Sequence, residues 1–221
     1  LAHEVKNPLG GIRGAGELLS LRAEDGKTRE TADLIVREST RIANLVDDFM
    51  VFARGERLRL AESNLHRILD QVLDLVAHDP LSRHCRIERA YDPSIPELLA
   101  DSDRLIQVFL NLMRNALQAM EGGGGRLTLT TRVTLDHRVF TESGERVPTV
   151  ATWIRDTGPG MEEEELRQAT IPFFTKRPGG TGLGLSVAEY WVSQHGGTLQ
   201  IESAPGEGTT VRVTLPLRRE K

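Results

Sequence analysis

The chain has 221 residues, 38% of them hydrophobic and 27% charged, and 28 Lys and Arg against 32 Asp and Glu leave a net charge of −4. Those proportions belong to an ordinary globular protein with room for one or two domains and a real core. The mildly acidic balance excludes the basic face of a nucleic-acid binder, and a single cysteine, Cys85, excludes an internal disulfide and fits a reducing, cytoplasmic compartment.

No apolar run approaches the ~20 residues that cross a bilayer, and no signal peptide is present, so no membrane contact is expected of this stretch. Leu1 is not an initiator methionine, which leads us to expect a sensor segment upstream.

Two helices come first. Leu9, Ile12, Ala15 or Gly16, and Leu19 recur at helical spacing as far as Leu21, and Ala23 to Lys27 reads as a polar turn. From Thr28 to about Arg54, Leu34, Ile35, Ile42, Leu45, Val46, Phe49 and Phe52 follow a heptad-like rhythm. A hairpin with so broad an apolar stripe has too few residues to cover it, and two copies packed as a four-helix bundle would bury it. A homodimer is therefore expected.

Residues 54–63 are charged and aperiodic, so residues 1–56 are read as one domain, 57–63 as a linker and 64–221 as a second domain. Asn64 can cap a helix carrying Leu65, Ile68, Leu69, Val72, Leu73 and Val76. Cys85 to Tyr91 predicts a strand, and Asp101 to Met120 a long amphipathic helix ended by Gly122 to Gly125. Arg126 to Leu135 and Val147 to Asp156 predict strands joined by a polar excursion. Glu162 to Ala169 predicts a short acidic helix, Gly182 to His195 a further helix capped by Gly196, and Thr198 to Ser203 with Thr209 to Leu215 a hairpin. A layer of helices on one face of a mixed sheet is the expected packing.

The chemistry gathers at a few places. His3 is a candidate nucleophile, because a neutral imidazole abounds near neutral pH. Glu4 beside it can take the ring proton, and Asn7, one turn on, can position a water. Pro8 cannot donate to the carbonyl of Glu4, so the helix is expected to bend there. The crowding of Gly10, Gly11, Gly14 and Gly16 suggests close helix approach or pliability.

On the 101–120 helix, Arg104, Gln107, Asn111, Arg114, Asn115 and Gln118 share one face. Paired asparagines one turn apart suit phosphate oxygens and a hydrated Mg²⁺, which accepts few protein ligands. Asp156 ends a strand and can accept from an adenine amino group, while Gly158 and Gly160 allow close approach. Gly180, Thr181, Gly182 and Gly184 precede a helix, whose first amides can cradle phosphates. Met161 to Arg177 between them, with Phe173, Phe174 and Lys176, reads as a lid.

With these residues on the page, the pattern resembles the two-component sensor histidine kinases over nearly the whole chain. Leu1 to Pro8 is similar to that family's H box, Asn111 to Ala116 to its N box and Asp156 to Gly160 to its G1 box. Pro172 to Thr175 is similar to the F box and Gly180 to Leu185 to the G2 box, all in the family's order. The runs from Leu1 to Ala15 and from Arg114 to Ala119 most resemble the nitrogen-regulation, NtrB-type branch.

The resemblance implies a dimeric helical phosphotransfer domain followed by an α/β two-layer Bergerat (GHKL-type) ATP-binding sandwich. It implies His3 as phosphoacceptor, Glu4 as general base and Asn7 as a residue for dephosphorylating the partner. It implies an ATP site of Asn111, Arg114, Asn115, Asp156, Gly158, Gly160, Phe174, Lys176, Gly180, Thr181, Gly182, Leu183, Gly184 and Thr209, with Asn115 on Mg²⁺. The implied partners are an NtrC-like response regulator receiver domain and a PII-like controller. Leu117 and Gln118 depart from the lysine or tyrosine often found after the N-box alanine, and the connection from Thr134 to Pro148 is extended. The competing readings are an ATPase of the gyrase, Hsp90 and MutL kind, which has no use for the His3 helix, and a non-catalytic dimeric scaffold.

Overall fold

The computed structural model describes residues 2–54, 57–134, 148–177 and 180–217, with the side chains of residues 2, 3 and 52–54 excepted. Most of the Thr134–Pro148 excursion, Gly179 and the side chains of His3 and Phe52 thus lie outside the described residues. The chain forms two compact units, residues 1–56 with 173–183, and residues 57–172 with 184–221.

The first unit is built on a helical hairpin, α1 (Ala2–Arg22) and α2 (Gly26–Arg54). The turn is shorter than expected, because Asp25 caps α2: its Oδ1 accepts the Thr28 N–H at 2.8 Å. Hydrogen bonds from the Thr28 side chain and then its backbone hold the Asp25 carboxyl below the usual carboxylate range. Arg29 closes the loop by donating to the Ala23 carbonyl at 2.9 Å. Pro8 sits inside α1, which is one helical span from Ala2 to Arg22.

Ala32 and Ser39, seven residues apart, are buried along the inner seam of α2. Gly16 faces that seam: a Cβ there would lie 2.9 Å from Val36 Cγ2 and 3.4 Å from the Ala32 carbonyl oxygen. Close helix approach is therefore the work of Gly16, whereas a Cβ at Gly10, Gly11 or Gly14 would meet nothing within 4 Å. Ile35 also touches this seam, its Cγ2 lying 3.3 Å from a Cβ at Gly16, yet most of the larger apolar residues stay partly open to solvent. Val5, Ile12 and Leu19 on α1, and Ile35, Ile42 and Phe49 on α2, form two lines at seven-residue spacing that remain 37–56% exposed.

The second unit begins where a linker was expected. Ala61–Ser63 form a short strand, β1, paired antiparallel with β3 (Leu98–Ala100). Between them lie α3 (Leu65–Ala77), a single 3₁₀ turn (Pro80–His84) and β2 (Cys85–Ala90). Asn64 caps α3, accepting the Arg67 N–H at 3.1 Å. Then follow α4 (Ser102–Ala119), β4 (Gly125–Thr134), β5 (Thr149–Asp156), α5 (Glu163–Gln168), α6 (Gly184–Gln194), β6 (Thr198–Ala204) and β7 (Gly208–Pro216). The large sheet runs β2-β4-β5-β7-β6, with β2 and β4 parallel and the remaining neighbours antiparallel.

Leu127, Leu129, Ile154, Val211, Val213 and Leu215 share one register face of the sheet and are buried. The helices supply the matching layer. Leu105, Val108, Phe109, Leu112 and Met113 of α4 are buried, as are Ile68, Leu69 and Val72 of α3 and Val187, Ala188 and Trp191 of α6. The 3₁₀ turn and β3 escaped the sequence reading because each is too short to show a period.

Asp48 on α2 is a charge in an awkward place. Burial, and then the neighbouring Asp47 carboxylate, push its pKa from 3.8 up to about 6. A carboxyl raised in the folded state stabilises below its ordinary pKa, and that contribution is lost as pH rises through about 6. Asp48→Asn should therefore raise resistance to urea at pH 7 and change little at pH 4. An equal gain at both values, or none at pH 7, would contradict this account.

Candidate functional site

The second unit gathers its chemistry along the last two turns of α4. The buried stripe of that helix sets its rotation, and Asn111 and Asn115 consequently lie on the half-exposed side. Gly184, the first residue of α6, meets them there. Asn111 Nδ2 donates to the Gly184 carbonyl at 3.2 Å, and a Cβ on Gly184 would lie 3.8 Å from both Asn111 Cγ and Asn115 Nδ2. The amino end of an eleven-residue helix thus opens beside the paired amides. Unsatisfied N–H groups and the helix dipole make such an end favourable for phosphate.

One turn further along α4 lies the loop that ends β5. A Cβ on Gly158 would approach Ala119 Cβ to 3.1 Å, so only glycine lets this loop seat against the helix. Asp156 is 4% exposed. Its Oδ1 accepts two backbone N–H groups, from Gly158 at 2.9 Å and from Thr209 at 3.2 Å. These bonds fix the plane of the carboxylate. Gly160 has φ +71°, and a Cβ there would collide with the Ala204 carbonyl, while the Gly206 N–H donates to the Pro159 carbonyl at 2.7 Å. The loop is thereby clamped onto the β6–β7 turn.

Thr209, expected near the base, meets Asp156 through its backbone; its hydroxyl shares a 3.0 Å hydrogen bond with Ser203 Oγ. Ser203 and Gly208 are parts of this brace that sequence reading missed. Ser203 Oγ accepts from Met161 N–H and donates to the Gly208 carbonyl, and Gly208 has φ +80° with its Cβ position blocked by the Asp156 carbonyl. The glycine pair Gly206 and Gly208 was the visible signal, a turn pressed close to another backbone.

Arg114 is drawn elsewhere. Its Nε and a terminal nitrogen both donate to Asp79 Oδ2, at 3.1 and 3.0 Å, holding it on the segment after α3. Leu117 is fully buried, so that position serves the core, whereas Gln118 is exposed. Only part of the expected lid lacks regular structure, since α5 occupies Glu163–Gln168 and Met161 is tied to Ser203.

Residues 173–183 belong to the first unit and form their own turn. Phe173 has φ +68°, unusual for a non-glycine, and its N–H donates to the Gly182 carbonyl at 2.9 Å. Gly182, also at φ +68°, faces the Phe173 backbone where a Cβ would clash. The Gly180 N–H reaches the Arg177 carbonyl at 3.1 Å, and the Leu183 N–H reaches Thr181 Oγ1 at 3.3 Å. Phe173 and Lys176 are exposed, Phe174 is half-buried and Leu183 buried. The exposure of Phe173 removes the possibility of a core aromatic pair.

On α1, the backbone of His3 is helical, and Glu4 and Asn7 are exposed within the same first turns. Lys6 between them donates to both Asp47 oxygens, at 2.9 and 2.8 Å, linking these turns to α2. Among the described residues no cluster of three or more His, Cys, Asp or Glu could hold a metal ion. A divalent cation here would rely on phosphate oxygens and a neutral oxygen such as the Asn115 amide carbonyl, the donor set that suits Mg²⁺.

Comparison with known proteins agrees with this geometry. Residues 100–219 match the family described as histidine kinase-, DNA gyrase B-, and HSP90-like ATPase, and residues 1–58 match the His Kinase A (phospho-acceptor) domain. The chain is 41% identical over 223 residues to the sensory histidine kinase/phosphatase NtrB of Escherichia coli O157:H7, covering 99% of this chain and 61% of that protein. Against its counterpart in Rhodobacter capsulatus it is 38% identical over 221 residues, 98% of this chain and 60% of that protein. The chain thus spans about three fifths of the length of these curated relatives. Among solved structures, full-length ShkA in complex with AMPPNP superposes with a TM-score of 0.76 at 26% identity, covering 100% of this chain and 45% of that one. Histidine kinase ThkA in complex with the response regulator protein TrrA shares the fold, with a TM-score of 0.69 at 24% identity over 98% of this chain and 60% of that one.

Asp156→Asn separates bracing from recognition. The amide keeps an oxygen for the Gly158 and Thr209 N–H groups but replaces the second acceptor with a donor, which a base amino group could not use. Stability should change by less than about 1 kcal/mol, while affinity for ATP falls tenfold or more, because a buried mismatch costs more than a lost bond. Thermal melting and nucleotide titration check the two halves, and unchanged affinity would remove Asp156 from the base site.

Proposed function

Because the chain belongs to the histidine kinase-, DNA gyrase B- and HSP90-like ATPase family, we propose that it is the catalytic core of an NtrB-type sensor histidine kinase, phosphorylating His3 from ATP and passing the phosphoryl group to an aspartate of a response regulator. The observation that carries this reading is the joining, in one chain, of a phospho-acceptor hairpin to an asparagine-and-aspartate nucleotide site. An ATPase of the same family would need only the second.

In this reading a ring nitrogen of His3 attacks the γ-phosphorus of ATP, forming an N–P bond while the bond to the β-phosphate oxygen breaks and ADP leaves. Glu4 takes the proton from the ring's other nitrogen. Asp156 orients the adenine, and Asn111, Asn115 and the first amides of α6 hold the phosphates. Mg²⁺, held in part by Asn115, would neutralise charge on the phosphate oxygens. Phe174, Lys176 and the turn from Gly180 to Leu183 would serve as a lid that excludes water once nucleotide is bound.

Asn7 positions a water for the reverse service, removing phosphate from the regulator. The regulator is NtrC-like, a PII-like protein controls the balance, and the setting is cytoplasmic nitrogen regulation. The sequence similarity to NtrB proteins supports this setting, and no described helix is long and apolar enough to cross a membrane.

A second copy completes the hairpin. Two exposed apolar lines at heptad spacing, Val5–Ile12–Leu19 and Ile35–Ile42–Phe49, are the a/d seam of a four-helix bundle lacking its other half.

Incubation with γ-labelled ATP should leave acid-labile, base-stable label on the protein, and His3→Gln should abolish it. Phosphate release without labelled protein would mean an ATPase instead, and absence of nucleotide binding a scaffold. Asn7→Ala should slow dephosphorylation of the regulator at least tenfold while changing autophosphorylation little. Equal losses in the two assays would make Asn7 structural.

A further inference from the structure

The second unit holds a buried polar junction that the proposed chemistry does not use. It joins the segment after the hairpin, the start of α4 and the end of α6. Asp101 is 6% exposed and His195 7% exposed. Asp101 Oδ1 accepts the Arg104 N–H at 3.2 Å and so caps α4, and its Oδ2 accepts the Arg59 N–H at 2.9 Å. Its own N–H donates to His195 Nε2 at 3.1 Å. His195 Nδ1 lies 2.7 Å from the Trp191 carbonyl. An amide N–H can only donate and a carbonyl can only accept, so the ring must be neutral and carry its proton on Nδ1.

Both ring nitrogens are committed. From α4 it meets Asp101, with Arg104 on the next turn lying over the Trp191 ring at 4.4 Å. From its own helix it meets the Trp191 carbonyl, and from residues 57–60 the Arg59 N–H shares its Asp101 partner. Burial lowers the proton affinity of His195 below the ordinary histidine value, against opposing effects of the Trp191 carbonyl and the Asp101 charge. A second proton, taken from water, would place an Nε2–H against the Asp101 N–H, donor against donor. The ring must then leave, and the cap of α4 and the anchor of Arg59 lose their support together. Asn111 lies about three turns along the same helix, which moves as one body.

We propose that His195 is a positioning residue for the asparagine helix, holding Asp101 and through it both α4 and the interdomain segment when neutral, and releasing them when protonated. Affinity for nucleotide then falls as pH drops below the ordinary histidine range, and strain on the segment after α2 reaches the nucleotide site through the same carboxylate. The link to nucleotide rests on the kinase reading above; the junction itself does not.

The test uses the full chain with His195→Gln, whose side-chain oxygen can still accept from Asp101 but does not titrate, and with His195→Phe, which cannot accept. Amide exchange without nucleotide, expressed as protection factors, is measured at Arg59, Asp101 and Arg104 at pH 7.5 and pH 5. The unsubstituted chain should lose about fivefold protection at all three on going to pH 5, the effect of one buried hydrogen bond. His195→Gln should stay protected at both pH values, and His195→Phe should be unprotected at both. KM for ATP in the labelling assay should follow the same pattern with kcat changed less than twofold.

Protection in His195→Gln that falls with pH as in the unsubstituted chain overturns the proposal, and this arm stands even where His195→Phe does not fold. Altered protection with an unmoved KM overturns the link to nucleotide. Failure of the unsubstituted chain to bind ATP would remove the kinase reading, while the exchange data would still decide the junction.

Discussion

The burial of one face of α4 fixes where the chemistry can be. Leu105, Val108, Phe109, Leu112 and Met113 are each 2% exposed or less, and no rotation of the helix about its axis keeps them so except the one observed. That rotation sets Asn111 and Asn115 on the opposite side, one turn apart, where the first residue of α6 meets them. Rotating the helix by one residue would carry both asparagines toward the core and leave buried amides without partners, at a cost of ~1–3 kcal/mol each. Core packing and site geometry are therefore a single constraint.

The same economy governs Asp156. A buried carboxylate is costly unless its oxygens are occupied, and here two backbone N–H groups occupy one oxygen. Both donors come from backbone whose course depends on glycine: Gly158 against α4, Gly160 against Ala204, and Gly208 against Asp156 itself. The loop is held by steric fit at its glycines, by hydrogen-bond satisfaction of Asp156 and by its contact with the β6–β7 turn. A preorganised acceptor of this kind can bind a donor without the entropic loss of ordering a loop.

How much of this could be read from the residues alone depended on the length scale of the interaction. Helices α3 and α4 and the strands β4 to β7 were legible, because their periods run for several turns or alternations. The paired asparagines were legible for the same reason, being a polar interruption on a periodic face. What escaped were elements too short to have a period, such as β3 and the 3₁₀ turn, and side chains whose roles depend on distant neighbours. Arg114 belongs in the second group. It lies on the asparagine face by spacing, yet it pairs with Asp79, thirty-five positions earlier. Thr209 was expected near the base by resemblance, and spacing could not say that its backbone would donate to Asp156. The start of α2 moved to Gly26 because an aspartate side chain, not a change in periodicity, begins the helix.

The hairpin poses the opposite problem from the sandwich. Its seam buries small residues, Ala32 and Ser39, with Ala32 against the glycine at position 16, and leaves most of its large apolar residues partly exposed. A seam of small side chains permits close approach but contributes little transfer free energy, roughly 25 cal/mol for each Å² removed from water. The exposed isoleucines, leucines and phenylalanine still present their apolar surface to solvent. On the proposed reading that area is buried by a second copy, so the stability of the hairpin and the presentation of His3 come from the same contact. Asp48 sharpens the point, since its half-buried carboxyl already has a raised pKa in the single chain. A further loss of water around it would push that pKa higher still, so covering it in a dimer would take up protons. Assembly of the bundle would then be favoured as pH falls, the opposite sense to the loosening expected of His195, and the two groups act on different units.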